Sequence, residues 1–185
     1  MPLSQRTRTG KARSTVVPLA QFQRCGILSD SDVLRHVPQP SSERLAAGPV
    51  VIVECVERIP CNPCAFACPR KAIRIDGALT DTPAVDFSRC NGCTACVAKC
   101  PGLAIFVVNR DFSKSEATVT LPYELLPRPT VGSTVALLDR SGRTVGKGNV
   151  LRMLDGAAQN RCAVITVTVP RRLWNTVRSI RPARR

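Results

Sequence analysis

The protein has 185 residues, a formal net charge of +14, 44% apolar residues and only 4% aromatic ones; that length allows one or two small domains with a modest core. No stretch approaches the ~20 apolar residues of a membrane helix, and "VVPLA", after the basic start, is too short for a signal-peptide core. The expected setting is therefore the cytoplasm, where the eight cysteines clustered between Cys55 and Cys100, of ten in all, bind metal rather than form the disulfides of a secreted protein.

The charge raises a nucleic-acid reading, and its distribution argues against it. No acid precedes Asp30, and from Arg171 onward there are six arginines and no acid, so basic ends flank a more balanced middle, as in solvated arms or surfaces for acidic partners. Base stacking needs aromatics among the basic residues, and Trp174 is the only one in that tail.

In chain order, residues 1–28 read as a flexible basic arm carrying Arg6, Arg8, Lys11 and Arg13. Residues 29–49 read as a short helical segment. "LSDSDVLRHV" predicts a helix capped at Ser29 or Asp30 and stopped by Pro38, and "SSERLAAG" another turn with Ser42 as cap and Gly48 as stop. "PVVIVE" is a β-branched run, hence a strand leading into Cys55. Further strands are predicted at "AIRI" (Ala72 to Ile75), "AVDF" before Cys90 and "AIFVV" (Ala104 to Val108). After Asn109 cysteine nearly disappears. "ATVTLPYELLP" predicts a strand, "STVALLDRSGRTVGKGNVLRML" a hairpin turning at Ser141-Gly142, and "CAVITVTVP" a further strand. In "RRLWNTVRSI" the spacing of Leu173, Trp174, Val177 and Ile180 predicts a C-terminal helix.

Within residues 50–110 one phrase is written twice. Cys61, Cys64 and Cys68 match Cys93, Cys96 and Cys100 at an offset of 32 residues, each copy ending in Cys-Pro and then Ala-Ile. Two copies of one unit, neither able to bury its own face, predict a pseudo-twofold domain. The expected class is thus α+β: a pseudo-twofold domain over residues 50–110, then a small antiparallel β domain with a C-terminal helix and basic tail over residues 111–185.

Cys90-x2-Cys93-x2-Cys96-x3-Cys100-Pro101 is the spacing that wraps three thiolates around one cubane iron–sulfur cluster and sends the fourth to another. Cys90, Cys93 and Cys96 then take Cys68 as their fourth ligand, and Cys100 crosses to join Cys61 and Cys64. Zinc also binds Cys-x2-Cys but draws two separated pairs; a zinc-stabilised nucleic-acid-binding module is the alternative from another class. The first copy has Arg58 where the second has Cys90. Cys55, three residues earlier, is the expected replacement, with Pro60 bending the chain beside Cys61. The alternatives are a three-iron cluster on three cysteines, or a structural Cys55 beside an empty first site. Arg58 either raises the potential of a neighbouring cluster or is a plain surface arginine. His36 is expected to be a surface or packing residue, and Cys25 and Cys162, which lack metal-ligand neighbours in sequence, ordinary thiols. No histidine lies beside a nucleophile and no Gly-rich phosphate loop is present. Substrate catalysis is not expected of this chain.

The segment from Cys55 to Val108 resembles a bacterial-type ferredoxin domain with two 4Fe–4S clusters. More loosely, the chain from about Ser29 onward resembles iron–sulfur subunits of FAD-dependent amino-acid or amine dehydrogenase complexes, relatives of sarcosine oxidase, hydrogen cyanide synthase and proline or hydroxyproline dehydrogenase. "GPVVIVECVERIPCNPC", "CPGLAIFVV" and "ATVTLPYELLP" carry that resemblance. It implies Cys55 as the displaced ligand, two 4Fe–4S clusters in this chain, and FAD or FMN in partner subunits of a hetero-oligomer. The implied role is to pass single electrons between flavin and acceptor. A free, diffusing ferredoxin is the alternative within the same class.

Overall fold

A computed structural model describes residues 19–183; the stretch before Leu19, most of the expected basic arm, lies outside the described residues. Among the described residues three short helices come first: α1 (Ala20–Cys25), α2 (Asp30–His36) and α3 (Ser42–Ala46). The α2 start is a capping box. The Asp32 backbone N–H donates to Ser29 Oγ at 3.1 Å, and the Ser29 backbone N–H donates to Asp32 Oδ2 at 3.0 Å, so two orphan donors are satisfied reciprocally. Ser41 caps α3, one residue before the expected cap.

The strands are β1 (Val50–Val53), β2 (Ile73–Arg74), β3 (Ala84–Val85), β4 (Ile105–Asn109), β5 (Glu116–Tyr123), β6 (Thr134–Leu138), β7 (Thr144–Leu154), β8 (Ala163–Pro170) and β9 (Ser179–Pro182), with α4 (Pro63–Ala67) between β1 and β2. Seven strands form one sheet in the order β1-β4-β5-β8-β7-β6-β9, and β2 pairs with β3 in a small separate ladder. Every pairing is antiparallel. The molecule is mostly antiparallel sheet with few helices, and the sheet runs unbroken across position 110, because β4 pairs with β5.

The unbroken apolar run of β1 has a specific cause. Val50 and Ile52 pack into the large core with Phe106 and Val108 of β4, whereas Val51 and Val53 pack into a second core with Ile105, Val107 and the cysteines. Successive side chains of a strand point to opposite faces, and here both faces are covered, so alternation gives way to continuous hydrophobicity. These two strands are the wall between the cysteine region and the rest of the protein.

β7 changes partners along its length. Thr144–Asn149 pair with β6, and Val150–Leu154 pair with β8. At the hand-over a Cβ on Gly148 would lie 2.0 Å from the Thr168 carbonyl oxygen, so β7 crosses β8 where only glycine fits.

The C-terminal helix is corrected. Arg171–Leu173 form a single 3-10 turn, and Ser179–Pro182 are strand β9 on the edge of β6. The Arg178 backbone N–H donates to the Leu138 carbonyl at 2.9 Å, so the open edge of β6 claims this segment. Val177 and Ile180 are buried as their spacing suggested, but Val177 at the close of a turn begun at Leu173 and Ile180 in strand β9: β-branched residues suit a sheet as well as a helix face.

Candidate metal centre

α4 opens with Pro63 as its first residue, a position where the missing N–H costs nothing, and this places Cys64 inside the second core, 7% exposed. Cys68 follows as its C-cap. In the second copy, a 3-10 turn at Val97–Lys99 does the same work between Cys96 and Cys100. The local backbone repeats at the sequence offset. Lys71 and Leu103 both have positive φ, 50° and 52°, and donate to the carbonyls of Cys68 and Cys100 at 3.0 and 3.1 Å. The Ala72 N–H donates to Cys68 Sγ at 3.2 Å and the Ala104 N–H to Cys100 Sγ at 3.4 Å. Amide donors aimed at these sulfurs stabilise thiolate charge and are among the levers on cluster potential. The flanking ladders are unequal, four residue pairs in β1–β4 and two in β2–β3.

The eight cysteines fall into two spatial sets. Cys64 is pushed up to about 11 by burial, and next by the negative charges that Cys100, Cys55 and Cys61 would carry. Burial likewise raises Cys55, followed by Cys100 and Cys61. Cys96 is pushed up to about 12 by burial, then by Cys90 and Cys93, with Cys68 a smaller contributor. Cys55, Cys61, Cys64 and Cys100 therefore stand together, as do Cys68, Cys90, Cys93 and Cys96. Each set takes its fourth member from the other motif. Thiols this reluctant to ionise near neutral pH become thiolates when a metal centre supplies compensating charge.

Both sets border space. Cys68, Cys90, Cys93 and Cys96 line a tight pocket of about 10 Å³ together with Val51, Ile73 and Val107. Cys55, Cys61 and Cys100 line a cavity of about 400 Å³, which extends past the cysteines to Phe22, Phe106, Glu54, Arg140 and Arg178. Among the described residues no group of three or more His, Cys, Asp or Glu is drawn together closely enough for a single metal ion. A cubane has its irons at separate corners and takes its thiolates from farther apart than one tetrahedral zinc does. Two sets of four thiols, amide donors on two of the sulfurs and apolar walls fit iron–sulfur chemistry.

Arg58 is a surface residue: its side chain is 71% exposed and pairs with Asp81 at 2.5 Å. His36 ends α2, with its Nε2 buried and unpartnered among the described residues. Cys25 is exposed. Cys162 is 3% exposed at the foot of β8, and Cys100 is among the groups that raise its thiol after burial, the largest cause. Cys162 is thus isolated in sequence but within electrostatic reach of Cys100.

Arg44 is the residue that sequence reading missed. Its guanidinium donates to the carbonyls of Phe87 (2.9 Å), Gly48 (3.2 Å), Pro49 (2.7 Å) and Cys90 (2.6 Å). It ties α3, the approach to β1 and the first cysteine of the second motif into one unit. Gly92 seals the same contact, since a Cβ there would lie 2.4 Å from Pro49 Cβ. The only sequence signal was an arginine in a helix too short to need one. Charged donors to carbonyls contribute roughly 1.5–3 kcal/mol, so Arg44→Ala is expected to destabilise the protein by about 2 kcal/mol and to speed chelator-driven iron loss from the Cys90 set alone. Equal loss from both sets, followed by EPR, would count against that role.

The site is that of a thiolate-held iron–sulfur protein, and comparison with known families agrees. Residues 55–104 match the family described as 4Fe-4S dicluster domain. The chain is also 43% identical over 60 residues to the ferredoxin-type protein NapF of Haemophilus influenzae, a match covering 30% of this chain and 34% of that protein. No solved structure matches. Residues 55–104 are therefore a 4Fe–4S ferredoxin-type domain. No helix among the described residues is long and apolar enough to cross a membrane.

Proposed function

We propose that this protein is the electron-transfer subunit of a flavin-dependent amino-acid or amine dehydrogenase complex. Cys55, Cys61, Cys64 and Cys100 would hold one 4Fe–4S cluster, and Cys68, Cys90, Cys93 and Cys96 the other. The carrying observation is the crossed grouping of the eight cysteines inside the matched domain. Bound clusters would supply one-electron storage at two points. The chain's own residues orient the thiolates, with α4 and the Val97–Lys99 turn setting their directions, and exclude water through Val51, Val53, Ile105 and Val107. They also donate amide N–H groups to Cys68 and Cys100.

The subunit reading is supported by the large share of the chain that has no role in ligation. Residues outside 55–104 supply every strand of the seven-stranded sheet, and the excess of basic residues favours fast, salt-sensitive encounter with an acidic partner. Anaerobic affinity purification from the native host tests it. The expected result is a flavoprotein in near-stoichiometric amount with about eight irons per chain. Recovery of the iron-loaded chain alone and monomeric, at low salt, would favour a free ferredoxin. Stoichiometric zinc without iron would end the iron–sulfur reading.

A further inference from the structure

Glu54, the residue before Cys55, is buried between two arginines that arrive from far along the chain. Arg140 Nη2 donates to Glu54 Oε1 at 2.5 Å and Arg140 Nε to Oε2 at 2.9 Å, while Arg178 Nε donates to Oε1 at 2.7 Å. The side chains of Glu54, Arg140 and Arg178 are 6%, 9% and 4% exposed. Arg140 Nη1 donates to Asp30 Oδ1 at 2.9 Å, and the other guanidinium donors go to the carbonyls of Trp174, Asn175 and Val177 and to Asn175 Oδ1. Arg178 also lies 4.9 Å over the centre of the Phe106 ring. All three side chains line the cavity shared with Cys55, Cys61 and Cys100.

Two buried guanidinium charges and one carboxylate leave a net charge of one positive unit. The next carboxylates are solvated: Asp30, 2.9 Å from Arg140, is 77% exposed, and Glu57 is exposed, so water screens both. Such a cluster is costly. Burial pushes the Arg178 guanidinium down to about 10 against the support of Glu54, and apolar residues of similar volume often stabilise a fold more than a buried ion triad does. Packing alone does not explain it. Its position does: a buried cation acts through a low effective dielectric and is little screened by salt. Among the described residues the pocket of the other set has no such element; of those lining it only Arg70 is charged, and it is exposed, while the half-buried Arg44 touches that set through the Cys90 carbonyl and not a sulfur.

We infer that the Arg140–Glu54–Arg178 triad is an electrostatic positioning element that raises the reduction potential of the cluster held by Cys55, Cys61, Cys64 and Cys100, and leaves that of the other cluster unchanged. This rests on the two-cluster reading above. The physical step is simple: an added electron makes a cluster more negative, and a net positive charge nearby favours that state.

EPR-monitored redox titration of the iron-loaded full chain tests it. Wild type should show two reducible clusters with about eight irons; failure there overturns the two-cluster reading, not the triad. Given two clusters, Arg140→Met removes one positive charge and should shift the first cluster's potential down, while Glu54→Gln, leaving two cations, should shift it up. Arg140→Lys should restore the wild-type value, and the second cluster should stay fixed throughout. A purely structural role would loosen the first site without opposite signs for opposite charges. Both potentials unchanged in Arg140→Met, or both moving together, would overturn the inference. If that variant fails to load iron, the near-isosteric Glu54→Gln carries the test: an upward shift of the first potential alone supports the triad, and no shift overturns it.

Discussion

Cys55→Ser protein should hold about four irons instead of about eight, with the cluster on Cys68, Cys90, Cys93 and Cys96 intact and the other gone. Cys68→Ser should give the reciprocal result. The two positions lie 13 residues apart, flanking Cys61 and Cys64, and a reading by sequence proximity would assign them to one cluster. In the fold Cys55 ends the run out of β1 and joins Cys61, Cys64 and Cys100, whereas Cys68 caps α4 and turns toward Cys96. EPR of the reduced variants separates the cases, since each retains one signal. Both signals surviving in Cys55→Ser would remove Cys55 from the ligand set. Loss of the same signal in both variants would undo the crossing.

Gly148→Ala should cost about 3 kcal/mol or more, while Gly146→Ala, two residues away in the same strand, should stay within ~0.5 kcal/mol. At Gly148 the new methyl would meet the Thr168 carbonyl oxygen at 2.0 Å and Leu137 Cδ2 at 3.1 Å, and a backbone oxygen cannot rotate away. At Gly146 the nearest atoms are Leu173 Cδ1 at 3.7 Å and Leu137 Cδ1 at 3.8 Å, ordinary contacts. Denaturant unfolding of the iron-loaded proteins measures the difference. Equal tolerance at both positions would mean that β7 does not cross β8 as closely as described.

Much of the architecture was readable because the local signals agree with the fold. The strands in "VVIV", "AIFVV", "ATVTLPY" and "AVITVTV" are β-branched runs, and the hairpin turn at Ser141-Gly142 joins β6 to β7 as its residues suggested. Ser29 caps its helix with Asp32. The ferredoxin-type character was equally legible, since the cysteine spacing is itself the chemistry. What was not legible is long-range. Glu54 and Arg178 are 124 residues apart, and Arg44 reaches Cys90 across 46; no local pattern announces either. Leu173, Trp174, Val177 and Ile180 misled because a single 3-10 turn running into an edge strand covers a core at a helix-like spacing. The expected boundary at residue 110 follows a change in composition, yet Val107, Val108 and Asn109 pair with Thr120, Val119 and Thr118 across it.

That last ladder ties iron supply to the lifetime of the whole chain. β1 and β4 have one face on the cysteines and the other on the large core, so cluster binding, which favours only the folded state, also secures the strand that covers the side of β5. A chain made without iron would hold β1 and β4 more weakly, and where they part, the edge of β5 lies open as a template for aggregation or an opening for proteases. Native-state hydrogen exchange would show it as iron-dependent protection reaching amides of β5 and β8, well away from any cysteine ladder. On this view scarcity of iron removes the protein rather than leaving an inactive copy in the cell.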